Sequence, residues 1–286
     1  MNSTEQLQGD ATRAQGAASL PRMDRSMLRA FERVSVPFCD RINTSYRLKR
    51  FMQLFVRYFT STWIYGLARP LLVLDGLDPL RKLTPPKGIV LISNHRSFFD
   101  MYVCCAVLYK HTGLLSRLHF PVRSNFWYTN PIGLAINLGV SACAMWPPVF
   151  RDGRRSELNP VGIEQIGYIL GKPGSVLGFH PEGTRSKDPD PHKLLRPKKG
   201  IALILERCEP DTLIVPFFIV GLSSSFTEQF GRWLRPKRGK NDIRLRFGAP
   251  VPAGEFQNNQ SPGEVAESVM DLVRSLAEQD RAEHGS

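Results

Sequence analysis

The sequence lacks any run of about 18 uninterrupted apolar residues, the length that a membrane-spanning helix requires. Its longest apolar stretches, WIYGLARPLLVL and TLIVPFFIVGL, are short and are interrupted by Arg69 and Pro216. The first residues, MNSTEQLQGDATRAQ, also lack the basic and then apolar order of a secretory signal. We therefore expect a disordered polar leader over residues 1–25, no export and no classical membrane span.

Cysteine is scarce and carries no pattern. The chain has 5 cysteines in 286 residues, with no C-x-x-C pair and no regular spacing. An odd, unpatterned set is typical of reduced thiols in a cytosolic compartment and predicts no structural disulfide. Zinc-finger spacing and the aromatic motif of RNA-recognition domains are absent as well.

Positive charge, in contrast, is abundant: the formal net charge is +12 and the pI is about 9.8. Such a surface attracts anionic lipid headgroups, phosphorylated substrates or nucleic acid, and charge by itself does not choose among them. Because no nucleic-acid motif accompanies the charge, we expect an anionic membrane surface as a partner and no nucleic acid. The basic run RPKRGK, at residues 235–240, is interpreted as a solvated loop, with a binding site as the alternative.

A helix with two unlike faces is predicted between Tyr46 and Leu67, ending before Pro70. One side carries mainly apolar residues at spacings of three and four, namely Phe51, Leu54, Phe55, Tyr58 and Thr62. The other side carries polar residues, namely Arg50, Gln53, Arg57 and Ser61. Flanking residues of the kind that anchor helices at membrane interfaces are Arg47, Lys49, Trp63 and Tyr65. The pattern favours a membrane-docking segment over residues 26–75; the alternative is a helix packed on the protein's own core.

From residue 87 onward, short β-rich runs alternate with helical stretches, as in α/β proteins. The predicted strands cover residues 88–93, 118–122, 139–145, 175–179, 213–220 and 243–247. The predicted helices cover residues 98–110, 125–137, 158–170, 198–207 and 262–279, the last beginning with a capping box. The sequence thus predicts an α/β domain over residues 76–286, with a mostly parallel central sheet flanked by helices and preceded by the amphipathic docking segment.

Residues able to carry chemistry directly follow the first of these strands. His95 and Asp100 lie at its carboxyl end, where α/β proteins bind ligands. A carboxylate bonded to one imidazole nitrogen would leave the other nitrogen free to take a proton from a hydroxyl. Asp100 can instead serve only as a helix cap, in a capping box with Ser97.

A second group, PEGTRS, follows the strand at residues 175–179. Gly183 permits a tight turn with exposed amides, Thr184 adds a hydroxyl donor, and Arg185 offers a planar fork that matches phosphate oxygens. The segment predicts a site for a phosphate monoester, and the alternative is an ordinary surface turn.

The two groups together resemble the motifs of a known family. NHRSFFD resembles the N-H-x(4)-D motif, and PEGTRS the P-E-G-T-R motif, of the glycerolipid acyltransferases typified by lysophosphatidic acid acyltransferase. The resemblance covers residues 88–220, including LLRPKKG and IVPF. It implies that His95 is the general base, that Asp100 orients it, and that the acceptor hydroxyl attacks directly without a covalent acyl-enzyme.

The resemblance also implies what the protein binds. The residues expected to contact the glycerol phosphate are Glu182, Gly183, Thr184 and Arg185, with Lys198 as a further cation. Acyl-CoA or acyl-carrier protein would be the donor, and no metal or prosthetic group is expected.

The sequence departs from the family pattern at two places. His180 stands where the family has an aromatic or aliphatic residue; an imidazole there can perturb the site, although packing is the favoured interpretation. The family's middle element supplies a phosphate-binding arginine, here Arg151 with Arg123 as the alternative. Pro147 and Pro148 nearby would interrupt a strand ladder.

The predicted function is transfer of a fatty acyl group to the free hydroxyl of 1-acyl-glycerol-3-phosphate, giving phosphatidic acid for phospholipid synthesis. The protein would lie on the cytoplasmic face of a membrane as a peripheral or monotopic enzyme. Two alternatives stay open: the same chemistry on glycerol 3-phosphate or another lysolipid, and a non-catalytic module that binds anionic lipid.

Overall fold

The structure, a computed structural model, describes residues 22–240, 242–258 and 260–284. Of the leader expected over residues 1–25, residues 1–21 thus lie outside the described residues. All five cysteines are free and buried. Among the described residues, no helix combines the length and the apolar character needed to cross a bilayer.

Two sheets organise the described chain. Its strands are β1 (Leu72–Asp75), β2 (Ile89–Ser93), β3 (Arg117–His119), β4 (Val122–Arg123), β5 (Pro148–Val149), β6 (Ser175–Phe179), β7 (Leu213–Val220), β8 (Ile243–Phe247) and β9 (Val251–Pro252). The central sheet has the order β1-β8-β7-β2-β6-β3, with β9 also paired to β7, while β4 and β5 form a small separate sheet. In the central sheet only the pairs of β7 with β8 and with β9 are antiparallel, which confirms the mostly parallel α/β fold.

Helices cover both faces of the sheet. The α-helices of the described chain are α1 (Glu32–Thr44), α2 (Tyr46–Phe55), α3 (Ser61–Ala68), α4 (Asp78–Arg81), α5 (Asp100–His111), α6 (Ser124–Trp127), α7 (Pro131–Ser141), α8 (Asn159–Leu170), α9 (Gly200–Leu205), α10 (Phe226–Leu234) and α11 (Pro262–His284). A π-helical turn, Val56–Thr60, joins α2 to α3. Short 3-10 helices lie at Arg25–Met27, Arg69–Leu71, Gly153–Leu158 and Ala253–Phe256.

Strand β2 lies at the centre of two hydrophobic cores. Ile89 and Leu91 point into the core built with α3 and α5, while Val90 and Ile92 point into the core built with α8, α9 and α11. Burial on both faces explains the continuous apolar sequence of this strand, as is usual in parallel sheets.

The strand predicted over residues 139–145 is wrong. Helix α7 extends to Ser141, after which Ala142 and Cys143 turn the chain with φ of 47° and 58°. The side chains at 142–145 are buried, so this apolar run is a helix end followed by an interior turn. A short apolar run does not by itself distinguish a strand from buried helix.

Two other predicted elements are divided. The strand predicted over residues 118–122 is split between β3 and β4, which belong to different sheets. The helix predicted over residues 125–137 is split into α6 and α7 at Asn130, whose side chain accepts a hydrogen bond from the Gly133 amide at 2.7 Å. Asn130 is an N-cap followed by Pro131, a combination that starts a new helix.

The predicted amphipathic helix is present, and its apolar face points outward. Phe51 and Tyr58 are each 69% exposed, on α2 and on the π-helical turn. The exposed apolar side chains of this segment are Tyr46, Leu48, Phe51, Leu54, Phe55, Tyr58 and Phe59. We call this set the outer apolar face. The alternative in which these side chains pack on the core is wrong.

The inward side of α2 is polar. Gln53 Oε1 accepts hydrogen bonds from the Tyr109 hydroxyl and the Leu118 amide, each at 3.2 Å. Lys49, expected as an interfacial cation, is instead fully buried, and burial lowers its pKa to about 7. The reason is geometric: Lys49 lies one helical turn before Gln53 and therefore faces the protein body.

The docking segment and the α/β body are joined closely. Strand β1 is already part of the central sheet, four residues before the predicted domain start at residue 76. Helix α3 packs along α5 of the body. The division into residues 26–75 and 76–286 stays a prediction.

Candidate active site

His95 and Asp100 meet at the carboxyl end of β2. His95 Nδ1 lies 3.1 Å from Asp100 Oδ2. The same oxygen accepts hydrogen bonds from the backbone amides of Arg96 and Ser97, each at 2.7 Å. Asp100 begins helix α5, so its carboxylate secures the turn before the helix and faces the imidazole at once. The helix-capping contact and the contact with the imidazole are therefore compatible, and the catalytic role stays a prediction.

The pairing defines the protonation of His95. A carboxylate only accepts hydrogen bonds, so Nδ1 carries the hydrogen and Nε2 keeps a free lone pair. Burial, with the nearby charge of Arg185, lowers the pKa of His95 to about 4. Burial raises the pKa of Asp100 to about 6, against the opposing effects of His180 and the backbone amides. Near neutral pH the pair is therefore a neutral imidazole and a carboxylate, as a general base and its orienting group require.

Strand pairing brings together the loop with NHRSFFD, after β2, and the loop with PEGTRS, after β6. We call these the two motif loops. Ile92 of β2 pairs with Phe179 of β6, so both strands end at the same edge of the sheet. The Ser186 amide then donates to the His95 carbonyl at 2.8 Å. On the other side of β2, the Asn94 side chain bonds to the backbone of Ile219 in β7. It donates to the Ile219 carbonyl at 2.8 Å and accepts from the Ile219 amide at 3.0 Å.

Cationic side chains lie beside the PEGTRS turn. Gly183 has φ of +66°, a conformation that glycine adopts without strain, and its carbonyl accepts a hydrogen bond from Arg151 Nη2 at 2.6 Å. The Lys198 amide donates to the Pro181 carbonyl at 2.8 Å. A Cβ on Gly183 would lie 3.3 Å from Lys198 Cγ and 3.5 Å from Arg151 Nη2. Arg151 and Lys198 thus flank the turn, where Thr184 and Arg185 are exposed.

Glu182 does not have the position expected of a phosphate contact. Its side chain is buried, and Oε2 accepts from the His95 amide at 3.2 Å while Oε1 accepts from the Leu195 amide at 3.1 Å. Both oxygens are engaged with backbone, and a carboxylate offers no donor to a phosphate. Burial raises the pKa of Glu182 to about 7. Its observed contacts fasten the loop after β2 to the loop after β6, and a contact of Glu182 with the glycerol phosphate stays a prediction.

The small second sheet positions the middle arginine. Strand β5 contains Pro148 and pairs with β4, so proline does not prevent this two-residue ladder. Arg123 pairs with Val149, and Arg151 follows two residues later. Burial and the charge of Arg123 both lower the pKa of Arg151. Arg123 is therefore a neighbour of Arg151 as well as its alternative.

The family is decided by the comparison with known proteins. A family model described as Acyltransferase matches residues 76–220, just over half of the 286-residue chain and the part that holds both motif loops. The chain belongs to the Acyltransferase family. The crystal structure of the 1-acyl-sn-glycerophosphate acyltransferase PlsC from Thermotoga maritima is similar at a TM-score of 0.49 and 17% identity, covering 91% of this chain and 98% of that one. No curated protein matches the chain.

His180 is the site residue of this acyltransferase whose placement sequence reasoning did not find. Its ring stacks on that of His95, with the centroids 4.0 Å apart and the planes at 10°. Its Nδ1 lies 2.9 Å from the Asn94 carbonyl, an acceptor, and 3.0 Å from Ser93 Oγ, so Nδ1 carries the hydrogen. Burial and the neighbouring His95 lower the pKa of His180 to about 3. The only sequence signal was the departure from the family pattern before Pro181.

Ligand atoms of His95, Asp100 and His180 lie within 4.8 Å of one another, a grouping that could hold a metal ion. A metal bound to imidazole lies close to the ring plane, at about 2 Å from nitrogen. The two stacked rings of this acyltransferase have nearly parallel planes, which do not converge on a common point. The geometry suits proton transfer better than shared metal binding.

Arg96 is a second residue that sequence reasoning missed. Its guanidinium donates to the carbonyls of Asp188 and Asp190, and to Ser186 Oγ at 3.4 Å. These bonds fix the segment that follows the PEGTRS turn of the acyltransferase. A charged residue inside a motif at a strand end was the available signal.

Proposed function

We propose that this acyltransferase moves a fatty acyl group from an acyl thioester, acyl-CoA or acyl-carrier protein, to the free hydroxyl of 1-acyl-glycerol-3-phosphate. The product would be phosphatidic acid, for phospholipid synthesis. One observation carries the proposal: the His95–Asp100 pair shares an edge of the sheet with a turn bordered by cations. A base for a hydroxyl thus lies beside a site for a phosphate.

The chemistry uses His95 as a base and then as an acid. The acceptor hydroxyl attacks the thioester carbonyl while His95 Nε2 takes its proton, and the Nδ1–H bond to Asp100 stabilises the resulting imidazolium. Collapse of the tetrahedral intermediate expels the thiolate, which takes the proton back from His95. Backbone amides of the two loops are the natural donors to the intermediate's oxyanion. No protein nucleophile enters this scheme.

The phosphate of the acceptor is assigned to the turn. Arg185 and Thr184 are exposed there, and Arg151 and Lys198 flank it. Charge-assisted hydrogen bonds from guanidinium and ammonium groups favour a phosphate monoester over a neutral headgroup. Glu182 is given a supporting role, since its carboxylate joins the two loops.

The outer apolar face supports action at a membrane surface. A face this rich in exposed aromatic and aliphatic side chains is unfavourable in water unless something covers it. Insertion into the headgroup region of a bilayer would cover it, next to Arg47, Arg50 and Arg57, which are exposed. The lysolipid acceptor partitions into bilayers, so we assign a peripheral or monotopic position on the cytoplasmic face.

The test is a substrate panel with purified full-length protein. An acyl-CoA or acyl-carrier protein with a labelled acyl chain is incubated with 1-acyl-glycerol-3-phosphate, glycerol 3-phosphate, lysophosphatidylcholine and monoacylglycerol. We expect label in phosphatidic acid, with the uncharged acceptor slowest because the turn binds phosphate. Acylation of monoacylglycerol alone would contradict the phosphate site. Vesicle binding without consumption of thioester would instead show a lipid-binding module.

A further inference from the structure

Helix α10 and the loop after it lie at the same edge of the sheet as the candidate site. Strand β8 is antiparallel to β7, and Arg244 pairs with Val220, so the segment before β8 lies at the carboxyl end of β7. The Ser97 hydroxyl of the first motif loop donates to the Ser223 carbonyl at 2.6 Å, just before α10. This helix is therefore tied directly to the active-site loops.

The surface of this region combines apolar and basic side chains. Phe226 is 54% exposed at the start of α10, and Leu234 is 72% exposed at its end. The basic loop (residues 235–240) then carries exposed cations at Arg235, Lys237, Arg238 and Lys240. Within the described part of the chain none of these four side chains forms an ion pair, although Arg238 Nε donates to the Pro70 carbonyl at 2.8 Å.

The same region adjoins the segment that bears the outer apolar face. The ring of Phe230 stacks on that of Trp63 at 6.4 Å, which places α10 against α3. The hydrogen bond from Arg238 to Pro70 fixes the basic loop to the end of that segment. An apolar side chain beside unpaired cations matches a bilayer surface that presents hydrocarbon beneath anionic headgroups.

We propose that Leu234 and the basic loop form a second contact with an anionic bilayer, separate from the outer apolar face. Two separated contacts would fix how the protein lies on the membrane and turn the edge that holds His95 toward it. The inference deepens the proposed function and rests on it, because the orientation matters only if the edge that holds His95 is the active site. It favours the alternative interpretation of residues 235–240, a binding site, over a merely solvated loop.

The first experiment measures binding of the full chain to vesicles of phosphatidylcholine that contain about 30 mol% of the anionic lipid phosphatidylglycerol. The variant Lys237→Gln/Lys240→Gln removes two cations that have no observed side-chain partner among the described residues. Its matched control, Lys82→Gln/Lys110→Gln, removes two exposed cations, one directly after α4 and one on α5, towards the opposite edge of the sheet. We expect roughly 25-fold weaker binding for the loop variant, about fivefold per cation, and a clearly smaller loss for the control.

Equal losses in the two variants would overturn the proposal, because net charge would then explain the binding. Unchanged binding of the loop variant would overturn it as well. On pure phosphatidylcholine vesicles the two variants should bind alike, since those headgroups carry no net charge. A persisting difference there would also contradict a contact with anionic lipid.

The apolar part is tested by Leu234→Ser against Leu203→Ser, which removes a leucine that is 38% exposed on α9. Only the first is expected to weaken vesicle binding, by about threefold to tenfold, and equal effects would contradict the inserted leucine.

Acyl transfer separates this inference from the proposed function. With detergent-dispersed substrates, Lys237→Gln/Lys240→Gln and Leu234→Ser should both transfer acyl groups as fast as the wild type. With substrates held in anionic vesicles, both variants should be slower. A wild type that binds vesicles but transfers no acyl group would overturn the proposed function and leave the contact intact.

Discussion

Two regions of this acyltransferase place their side chains by opposite rules. At the carboxyl edge of the sheet, Asp100 and Glu182 are buried and hydrogen-bonded to backbone amides. On α2 and its π-helical turn, aromatic side chains are exposed while Lys49 and Gln53 are buried beneath them. Buried polar groups with satisfied hydrogen bonds hold a fixed geometry, as catalysis requires. Exposed aromatic groups gain energy only when a partner covers them.

The difference leads to the expectation that the proposed acyl transfer and the proposed membrane contact can be separated by mutation. Changes to the His95–Asp100 pair should alter the reaction and leave vesicle binding intact. Changes on the outer apolar face should do the reverse.

The largest effect is expected from Asp100→Asn. The amide oxygen can still accept from the backbone amides, but it no longer provides a carboxylate to hold the His95 Nδ1–H. We expect kcat to fall by about 10²–10⁴-fold, the usual size of a general-base contribution, with unchanged vesicle binding. Asp40→Asn, a half-buried carboxylate on α1 that accepts from Gln165, is the matched control. Loss of kcat in both variants, or in neither, would contradict the assigned role.

The reverse case is Phe51→Ser/Tyr58→Ser on the outer apolar face. Removing two aromatic side chains that are each 69% exposed should weaken vesicle partitioning by roughly 30-fold to 100-fold. Transfer to a water-dispersed short-chain acceptor should not change. The control is Tyr168→Ser, which removes an aromatic side chain that is 48% exposed on α8. Equal loss of partitioning in the control would show that this face is not the contact.

Much of this separation was predictable from the sequence. The helical period of α2 gave its two faces, and the strands 175–179, 213–220 and 243–247 were predicted with their observed bounds. The period could not say which face was inward. Lys49 is buried because the partners of its helix face, around Tyr109 and Leu118, come from distant parts of the chain. The roles of Glu182 and His180 likewise depend on contacts between two loops, which spacing within either loop does not reveal.

A moderate effect is expected from Arg185→Gln. Loss of a charge-assisted hydrogen bond to phosphate should raise KM for 1-acyl-glycerol-3-phosphate roughly 10-fold to 100-fold, with a smaller change in kcat. Arg196→Gln, in the loop after the turn and 92% exposed, is the matched control. A change of KM in the control but not at position 185 would place the phosphate elsewhere.

The pH profile of the same variant sharpens the test. With a pKa of about 6 for Asp100, kcat/KM of the wild type should fall as pH drops through about 6, because the pair with His95 then takes up a proton. The charge of Arg185 lowers the pKa of His95. Removing that charge favours the proton, so the acid limb of Arg185→Gln should move to higher pH. A shift to lower pH would contradict the placement of Arg185 beside His95.

The smallest effect is expected at His180. Loss of the stacked ring in His180→Ala should lower kcat about threefold to tenfold, the range expected for an aromatic pair, with little change in KM. His180→Phe keeps a ring over His95 and should restore kcat to within about twofold. If phenylalanine were as damaging as alanine, the hydrogen bonds of His180 to Asn94 and Ser93 would matter more than the stack.

Direct attack of the acceptor hydroxyl, with His95 as the base, is tested by acceptor-dependent release of thiol from acyl-CoA by the wild type and by His95→Ala. We expect one thiol to be released for each phosphatidic acid formed by the wild type, only when 1-acyl-glycerol-3-phosphate is present. In His95→Ala both should be lost, with an unchanged thermal melt. Acyl transfer by His95→Ala at the wild-type rate, or a burst of thiol and acylated protein without acceptor, would contradict this mechanism.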